Sequence, residues 1–260
     1  MHHPPQVALI TGASSGFGAE FARRLAAAGA DVVLVARRQD RLEALADELG
    51  SAHGIRAHVI VADLAVTGAA AALVDELDAS GIVVDALVNN AGLGIDGPLS
   101  DADPGRLRDL LQVNVVALTE LTRLLLPSLI AAPRGMLINV SSTAAYQPLP
   151  SIAVYAASKA YVRSLTDALW HECRGTGVRV LAIAPGPTET EFFAAAGSER
   201  FKVGQMLSAG QVVDMTLRHI DKGARRPSRI AGWRNAVAAH ANRLVPTRVS
   251  LSVSARLTGD

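Results

Sequence analysis

Short apolar runs alternate along this chain with longer segments whose apolar residues recur every three or four positions. Val7–Thr11, Val32–Ala36, Ala57–Val61, Asp85–Val88, Gly135–Val140 and Val178–Ala184 are runs of four to seven residues dominated by Val, Leu, Ile and Ala. Such runs predict strands covered on both faces. Gly16–Ala28, Gln39–Leu49, Thr67–Ala79, Pro104–Leu129 and Val154–Arg174 have helical spacing, and Gly29, Gly50, Gly81, Gly175 and Gly177 stand where those helices should stop. Arg229–Ala231 would add a last strand. Strand and helix in alternation mean βαβ units with right-handed crossovers. The expected fold is therefore α/β, a doubly wound parallel sheet of about seven strands with helices on both faces. No Pro/Gly/Ser-rich linker divides it, so residues 1–260 read as one domain. Ligands of such a sheet sit beyond the carboxyl ends of the strands.

Two segments break the alternation. Residues 186–207, with Pro187, Gly197, Gly204 and the aromatics Phe192, Phe193 and Phe201, follow a strand end and read as a lid over a substrate. Residues 233–260 read as a basic, amphipathic tail. Trp233–Leu244 is helical in pattern, Pro246 interrupts, and Arg248–Leu257 resumes, with Leu244, Val245, Val249, Leu251, Val253 and Leu257 set among Arg243, Arg248 and Arg256.

Half of the 260 residues are apolar and 19% are charged, which supports a sizeable core. The net charge of +1 provides no field that would recruit nucleic acid. It is unevenly spread: residues 1–217 carry −6 and residues 218–260 carry +7. A solvated basic surface is the plain reading of that excess. Peripheral contact with an anionic membrane, or with a protein partner, is the sharper one. Cys173 is the single cysteine and, within a helical stretch, reads as a small buried apolar residue. The amino terminus lacks the pattern of a signal peptide, and no uninterrupted apolar run reaches the ~18 residues of a membrane span. A soluble, cytoplasmic protein is expected.

The first strand runs into Thr11-Gly12-Ala13-Ser14-Ser15-Gly16-Phe17-Gly18 and then a helix. Glycines let backbone approach a pyrophosphate, and a helix amino terminus offers it free N–H groups. That context makes the sheet Rossmann-type, with Gly12, Ser14, Ser15, Gly16, Phe17 and Gly18 as candidate cofactor contacts. In NAD sites an acid about 20 residues on binds the ribose 2′-hydroxyl. Here Arg37 and Arg38 end the second strand's turn instead. Guanidinium groups suit a 2′-phosphate, so the cofactor read is NADP(H). Asp63-Leu64 after the third strand and Asn89-Asn90-Ala91-Gly92 after the fourth are placed to flank adenine and line the nicotinamide ribose.

Tyr155 and Lys159 stand four apart, on one helix face. A phenol ordinarily titrates near 10, and a neighbouring ammonium is expected to lower it toward a useful range. Tyr146 and Tyr161 have Pro150 and Leu165 at the same offset, so only Tyr155 has a basic partner there. Ser142 follows the fifth strand and can share the reacting oxygen. Asn114 lies among valines in the long helix and should face something buried and polar.

Together these motifs resemble the short-chain dehydrogenase/reductase family in its NADP-preferring form of about 250 residues, from Val7 to about Ala231. The glycine motif, Asn89–Gly92, Ser142 ahead of Tyr155-x-x-x-Lys159, and Pro185-Gly186 with Thr190 stand in the family's order. The resemblance implies that Asn114, Ser142, Tyr155 and Lys159 form a catalytic tetrad. Tyr155 would be the acid/base, Ser142 would polarise the substrate oxygen, Lys159 would bind the nicotinamide ribose, and Asn114 would hold a water relaying protons to Lys159. It also implies contacts of Asn90, Ala91, Gly92, Pro185, Gly186, Thr188 and Thr190 with the cofactor, and a homodimer or homotetramer built on the helices holding Asn114 and Tyr155. Phe17 and Ala145 depart from the commoner small aliphatic and glycine. The expected reaction is NADPH-dependent reduction of a moderately apolar ketone, in a pocket near Leu93, Ile95, Leu149, Ile152, Phe192 and Phe193. A non-catalytic NADP(H)-sensing regulator or scaffold is the alternative.

Overall fold

The computed structural model describes residues 1, 4–188, 206–241, 246, 248 and 251–252. Seven strands form one sheet: β1 (Val7–Thr11), β2 (Asp31–Ala36), β3 (Ala57–Val61), β4 (Ala86–Asn89), β5 (Met136–Val140), β6 (Arg179–Ala184) and β7 (Ser228–Ile230). Their spatial order is β3-β2-β1-β4-β5-β6-β7, and every pairing is parallel. The chain leaves β3 at one edge and re-enters at β4 on the far side of β1. The winding therefore reverses between β1 and β4, and a cleft opens at their carboxyl ends.

The helices are α1 (Gly16–Ala27), α2 (Gln39–His53), α3 (Ala69–Ala79), α4 (Pro104–Ala131), α5 (Ala153–Glu172), α6 (Ala209–Asp221) and α7 (Trp233–Ala241). Strand alternation divides the core in two. Ala8, Ile10, Val32 and Leu34 pack under Phe21, Leu25, Leu42, Leu45, Val213 and Leu217 of α1, α2 and α6. Leu9, Val33, Val35, Leu87 and Leu137 pack under Leu73, Leu77, Leu121, Leu125 and Leu129 of α3 and α4. Each buried leucine is worth about 1.5–3 kcal/mol, so both faces are strongly specified.

Several boundaries differ from those the sequence pattern predicts. Gly50 lies inside α2, which continues to His53 and stops where Gly54 adopts φ 67. A helix tolerates an interior glycine at a cost of about 1 kcal/mol, whereas the left-handed residue ends it. Helix α6 falls between the two segments that break the sequence alternation and has no counterpart among the expected elements. Ser208 caps it, with Ser208 and Gln211 each bonding the other's backbone N–H. Helix α4 contains a π-helical turn over Gln112–Ala117. Cys173 is a buried free thiol, as expected. Of the segment read as a lid, the described ends are joined, Thr188 pairing with Leu207. Thr190, Phe192, Phe193, Phe201 and much of the tail beyond Ala241 lie outside the described residues.

Candidate active site

The glycine turn closes on itself at the end of β1. Gly12 and Gly16 adopt φ 67 and 55, a region that costs other residues energy. A Cβ on Gly18 would overlap the Gly12 carbonyl oxygen, and one on Gly12 would stand 2.8 Å from Asn90 Nδ2. Side chains are thus excluded from the surface a pyrophosphate would touch. The first turn of α1 carries no acidic residue, so its positive end is open to an anion. The residues present fit a dinucleotide.

Thr11 and Asn90 lock this turn to its neighbour. Thr11 Oγ1 accepts from the backbone N–H groups of Asn90 and Ala91, both at 3.0 Å. Asn90 Nδ2 donates to the Thr11 and Gly12 carbonyls at 2.9 and 3.2 Å. By its position in the sequence Thr11 is only a strand end. Its hydroxyl organises the Asn89–Gly92 turn, and no local pattern marks it for that work.

The two arginines behave differently. Arg38 donates from Nε and Nη2 to Ser14 Oγ at 3.1 and 2.9 Å and from Nη2 to Ser15 Oγ at 2.9 Å. A guanidinium and two hydroxyls therefore share one corner of the cleft. Arg37 is 64% exposed, and its Nη1 lies 4.0 Å from Asp63 Oδ2. Asp63 also accepts the Ala65 N–H at 3.0 Å, a local turn contact, and Leu64 is buried in the core.

At the other end of the cleft, α5 brings Tyr155 and Lys159 beside Ser142. Lys159 is almost wholly buried, its Nζ donating to the Val140 carbonyl at 2.9 Å and lying 5.9 Å from the Tyr155 ring centroid. The backbone of Lys159 is held in turn by Ser141 Oγ, 2.8 Å from its carbonyl. Tyr155 and Ser142 share a hydrogen bond between their hydroxyls. Ser142 Oγ also accepts the Ala144 N–H at 3.1 Å, which fixes the turn Thr143–Tyr146.

The titration of this pair corrects the expectation from spacing. Desolvation pushes Tyr155 up to about 12 against the smaller lowering by Ser142. Desolvation also pulls Lys159 down to about 8. Burial here outweighs the neighbouring ammonium. Either charge alone is penalised, whereas a phenolate and an ammonium together compensate each other.

Asn114 sits fully buried in the π turn of α4, a conformation common at functional sites. Its Oδ1 accepts the Leu93 N–H at 2.8 Å, and its Nδ2 donates to Leu93 O and Ser158 Oγ at 2.9 and 3.0 Å. A Cβ on Gly92 would lie 3.2 Å from Lys159 Nζ and 3.4 Å from Asn114 Oδ1. The Asn114 carboxamide thus fixes the Gly92-Leu93 backbone beside the lysine. With both amide hydrogens engaged, it braces the wall of the site. Leu93 is in turn packed against the core, and Gly97 N donates to Ser151 O at 2.8 Å, tying this loop to the one before α5.

Pro185-Gly186 leaves β6 next to these groups, Thr143 N donating to Pro185 O at 2.9 Å. Thr188 is buried, and its Oγ1 donates to Gly186 O at 3.0 Å. Among the described residues no group of three or more His, Cys, Asp or Glu could hold a metal.

Residues 6–200 match the family of short chain dehydrogenases, three quarters of the chain. This protein is a short-chain dehydrogenase/reductase. It is 42% identical to sulfoacetaldehyde reductase 2 of Chromohalobacter salexigens over 188 residues, 72% of this chain and 74% of that one. It is 43% identical to serine 3-dehydrogenase of Agrobacterium fabrum, with 71% and 72% of the two chains covered. A solved short-chain dehydrogenase from Sphingobium yanoikuyae in complex with NADPH superposes with a TM-score of 0.82 at 32% identity, covering 96% of each chain. The dehydrogenase fold thus accounts for the seven-stranded sheet and for a cleft at the strand ends.

Proposed function

We propose that this dehydrogenase moves a hydride between NADP(H) and a small carbonyl or alcohol, with Tyr155 exchanging the proton. The observation that carries the reading is the hydroxyl pair Tyr155–Ser142 beside a buried ammonium. Bound NADPH supplies the hydride. The Ser142 and Tyr155 hydroxyls hold the carbonyl oxygen, and the phenolic proton passes to it as negative charge develops. The Lys159 ammonium, held by the Val140 carbonyl, stabilises the phenolate that remains. Arg38 with Ser14 and Ser15 receives the 2′-phosphate, and the glycine turn receives the pyrophosphate.

The substrate read is a moderately apolar ketone, because Leu93, Ile95 and Leu149 are half-buried and Ile152 is buried in the two loops joined at Gly97 and Ser151. The relatives named for sulfoacetaldehyde and serine favour a second reading, a small polar carbonyl. Loss of NADPH absorbance with apolar ketones, set against polar aldehydes and keto acids, decides between them. Turnover of neither class would favour a cofactor sensor.

The reading includes a second copy as partner. Val116, Ile130 and Tyr161 are exposed on α4 and α5, beside an apolar groove lined by Leu126, Pro127, Ile130 and Leu165. Light scattering on the purified chain tests it, a monomer at micromolar concentration being the refuting result. Contact with an anionic membrane is a separate proposal. Trp233 and Val237, one turn apart on α7, are 68% and 61% exposed, with the Arg234 guanidinium 5.4 Å from the indole centroid. Co-sedimentation with phosphatidylserine vesicles, with and without residues 233–260, tests that.

A further inference from the structure

We propose that Asn235, on α7, is a positioning residue for the cofactor turn Pro185-Gly186. Gly186 is not among the glycines with positive φ, so its backbone conformation does not call for glycine. What calls for it is space. A Cβ there would run into Asn235 Nδ2 and stand 3.0 Å from Asn235 Cγ. The carboxamide thus lies directly over the Gly186 Cα. It is itself fixed: Asn235 is only 5% exposed, and its Nδ2 donates to Ala231 O at 3.0 Å.

Asn235 is a poor choice for stability alone. Asparagine is a weaker helix former than the alanines around it, and burying a carboxamide is costly unless its groups are bonded. The helix has other attachments besides it. Ala239 packs with Ala184 and Ile230. His240 meets the Tyr146 ring edge-on at 6.1 Å, on the turn that begins after Ser142. Helix α7 therefore touches both turns at the reacting end, the Ser142 turn through His240 and the Pro185-Gly186 turn through Asn235. These turns are joined by the bond from Thr143 N to Pro185 O. The Asn235 carboxamide is the wedge that sets how far the second turn advances toward the nicotinamide. This inference rests on NADP(H) being the cofactor.

The test is a double-mutant cycle read by NADPH fluorescence, with thermal midpoints recorded alongside. Asn235→Ala should raise the NADPH dissociation constant about three- to tenfold, and Gly186→Ala by about thirtyfold or more. In the Asn235→Ala background the Gly186→Ala step should cost less than about threefold, because the new methyl occupies the vacated space. If Gly186→Ala alone fails to fold, recovery of folded protein in the double variant supports the same contact, and failure to recover overturns the proposal. Additive effects overturn it, as does an Asn235→Ala protein that loses thermal stability with an unchanged NADPH constant. A wild-type protein that does not bind NADPH refutes the cofactor reading instead.

Discussion

The two ends of the cleft are built by opposite means. At the phosphate end, backbone makes the surface: Gly12, Gly16 and Gly18 remove side chains, and of the two cations beside it Arg37 stands toward solvent while Arg38 is half-buried against Ser14 and Ser15. At the reacting end, side chains from separate elements converge, Asn114 from α4, Ser142 after β5 and Tyr155 and Lys159 from α5, and the lysine is buried. The first end should fail by shape and be read in cofactor affinity. The second should fail by chemistry and be read in turnover. The sharpest test is Tyr155→Phe, which removes one oxygen and no packing. Turnover should fall about 10³-fold or more while the NADPH dissociation constant stays within about twofold of wild type. A comparable loss of NADPH affinity would erase the distinction between the ends.

Gly18→Ala is the mirror experiment. Its methyl would meet the Gly12 carbonyl and lie 2.6 Å from Asn90 Nδ2. NADPH binding should weaken about a hundredfold, and titration calorimetry reads it directly. Turnover at saturating NADPH should recover much of its wild-type value. A variant with normal affinity would mean that the turn yields more easily than its contacts indicate.

These ends are also legible in the sequence to different degrees. The glycine turn can be read because its chemistry is local, eight consecutive residues between a strand and a helix. The pair Tyr155–Lys159 can be read as a pair, because helical spacing fixes proximity. Its titration cannot, because desolvation depends on everything packed around α5 and not on the spacing of two residues. Asn114 is legible as a buried polar group but not as part of a π turn, since Gln112-Val113-Asn114-Val115 suits an ordinary helix equally well. Helix α6 has a readable start in Ser208-x-x-Gln211 and apolar Val212, Val213, Leu217 and Ile220. The segment before it, where the alternation of strand and helix patterns lapses, obscures that start. Asn235 acts across 49 positions of sequence on Gly186, a relation that only the fold creates.

Lys159 offers a smaller effect with a definite sign. Its folded pKa of about 8 lies below the ordinary 10.5, so burying the charged form costs stability at pH 7. The cost is about 3 kcal/mol at most and fades as pH rises from about 8 toward 10.5, where the folded lysine has already lost its proton. Relative to Lys159→Met, the cofactor-free wild type should therefore gain thermal stability across that window. Reduction should run the other way. Its kcat/KM should fall as pH rises through about 8, because the ammonium that stabilises the Tyr155 phenolate is lost. A profile flat from pH 7 to 10 would remove Lys159 from the chemistry and leave the reacting end to Tyr155 and Ser142.

The smallest effects separate two adjacent arginines, and they test whether the phosphate end is only shape. Arg38 makes three hydrogen bonds to Ser14 and Ser15, so its guanidinium is already held in place for the 2′-phosphate that it is proposed to receive. Arg37 is exposed and 4.0 Å from Asp63, a spacing at which solvent screens most of the attraction. Arg38→Ala should reduce the preference for NADPH over NADH by about 10- to 100-fold, the worth of charge-assisted bonds to phosphate. Arg37→Ala should change it by about threefold or less. The ratio of kcat/KM values for the two cofactors measures both. Equal losses would mean that the phosphate is held by net positive charge alone. A loss confined to Arg38 would mean that this end, too, depends on one side chain fixed in place by its neighbours, so that backbone shapes the cradle while an anchored cation chooses the cofactor.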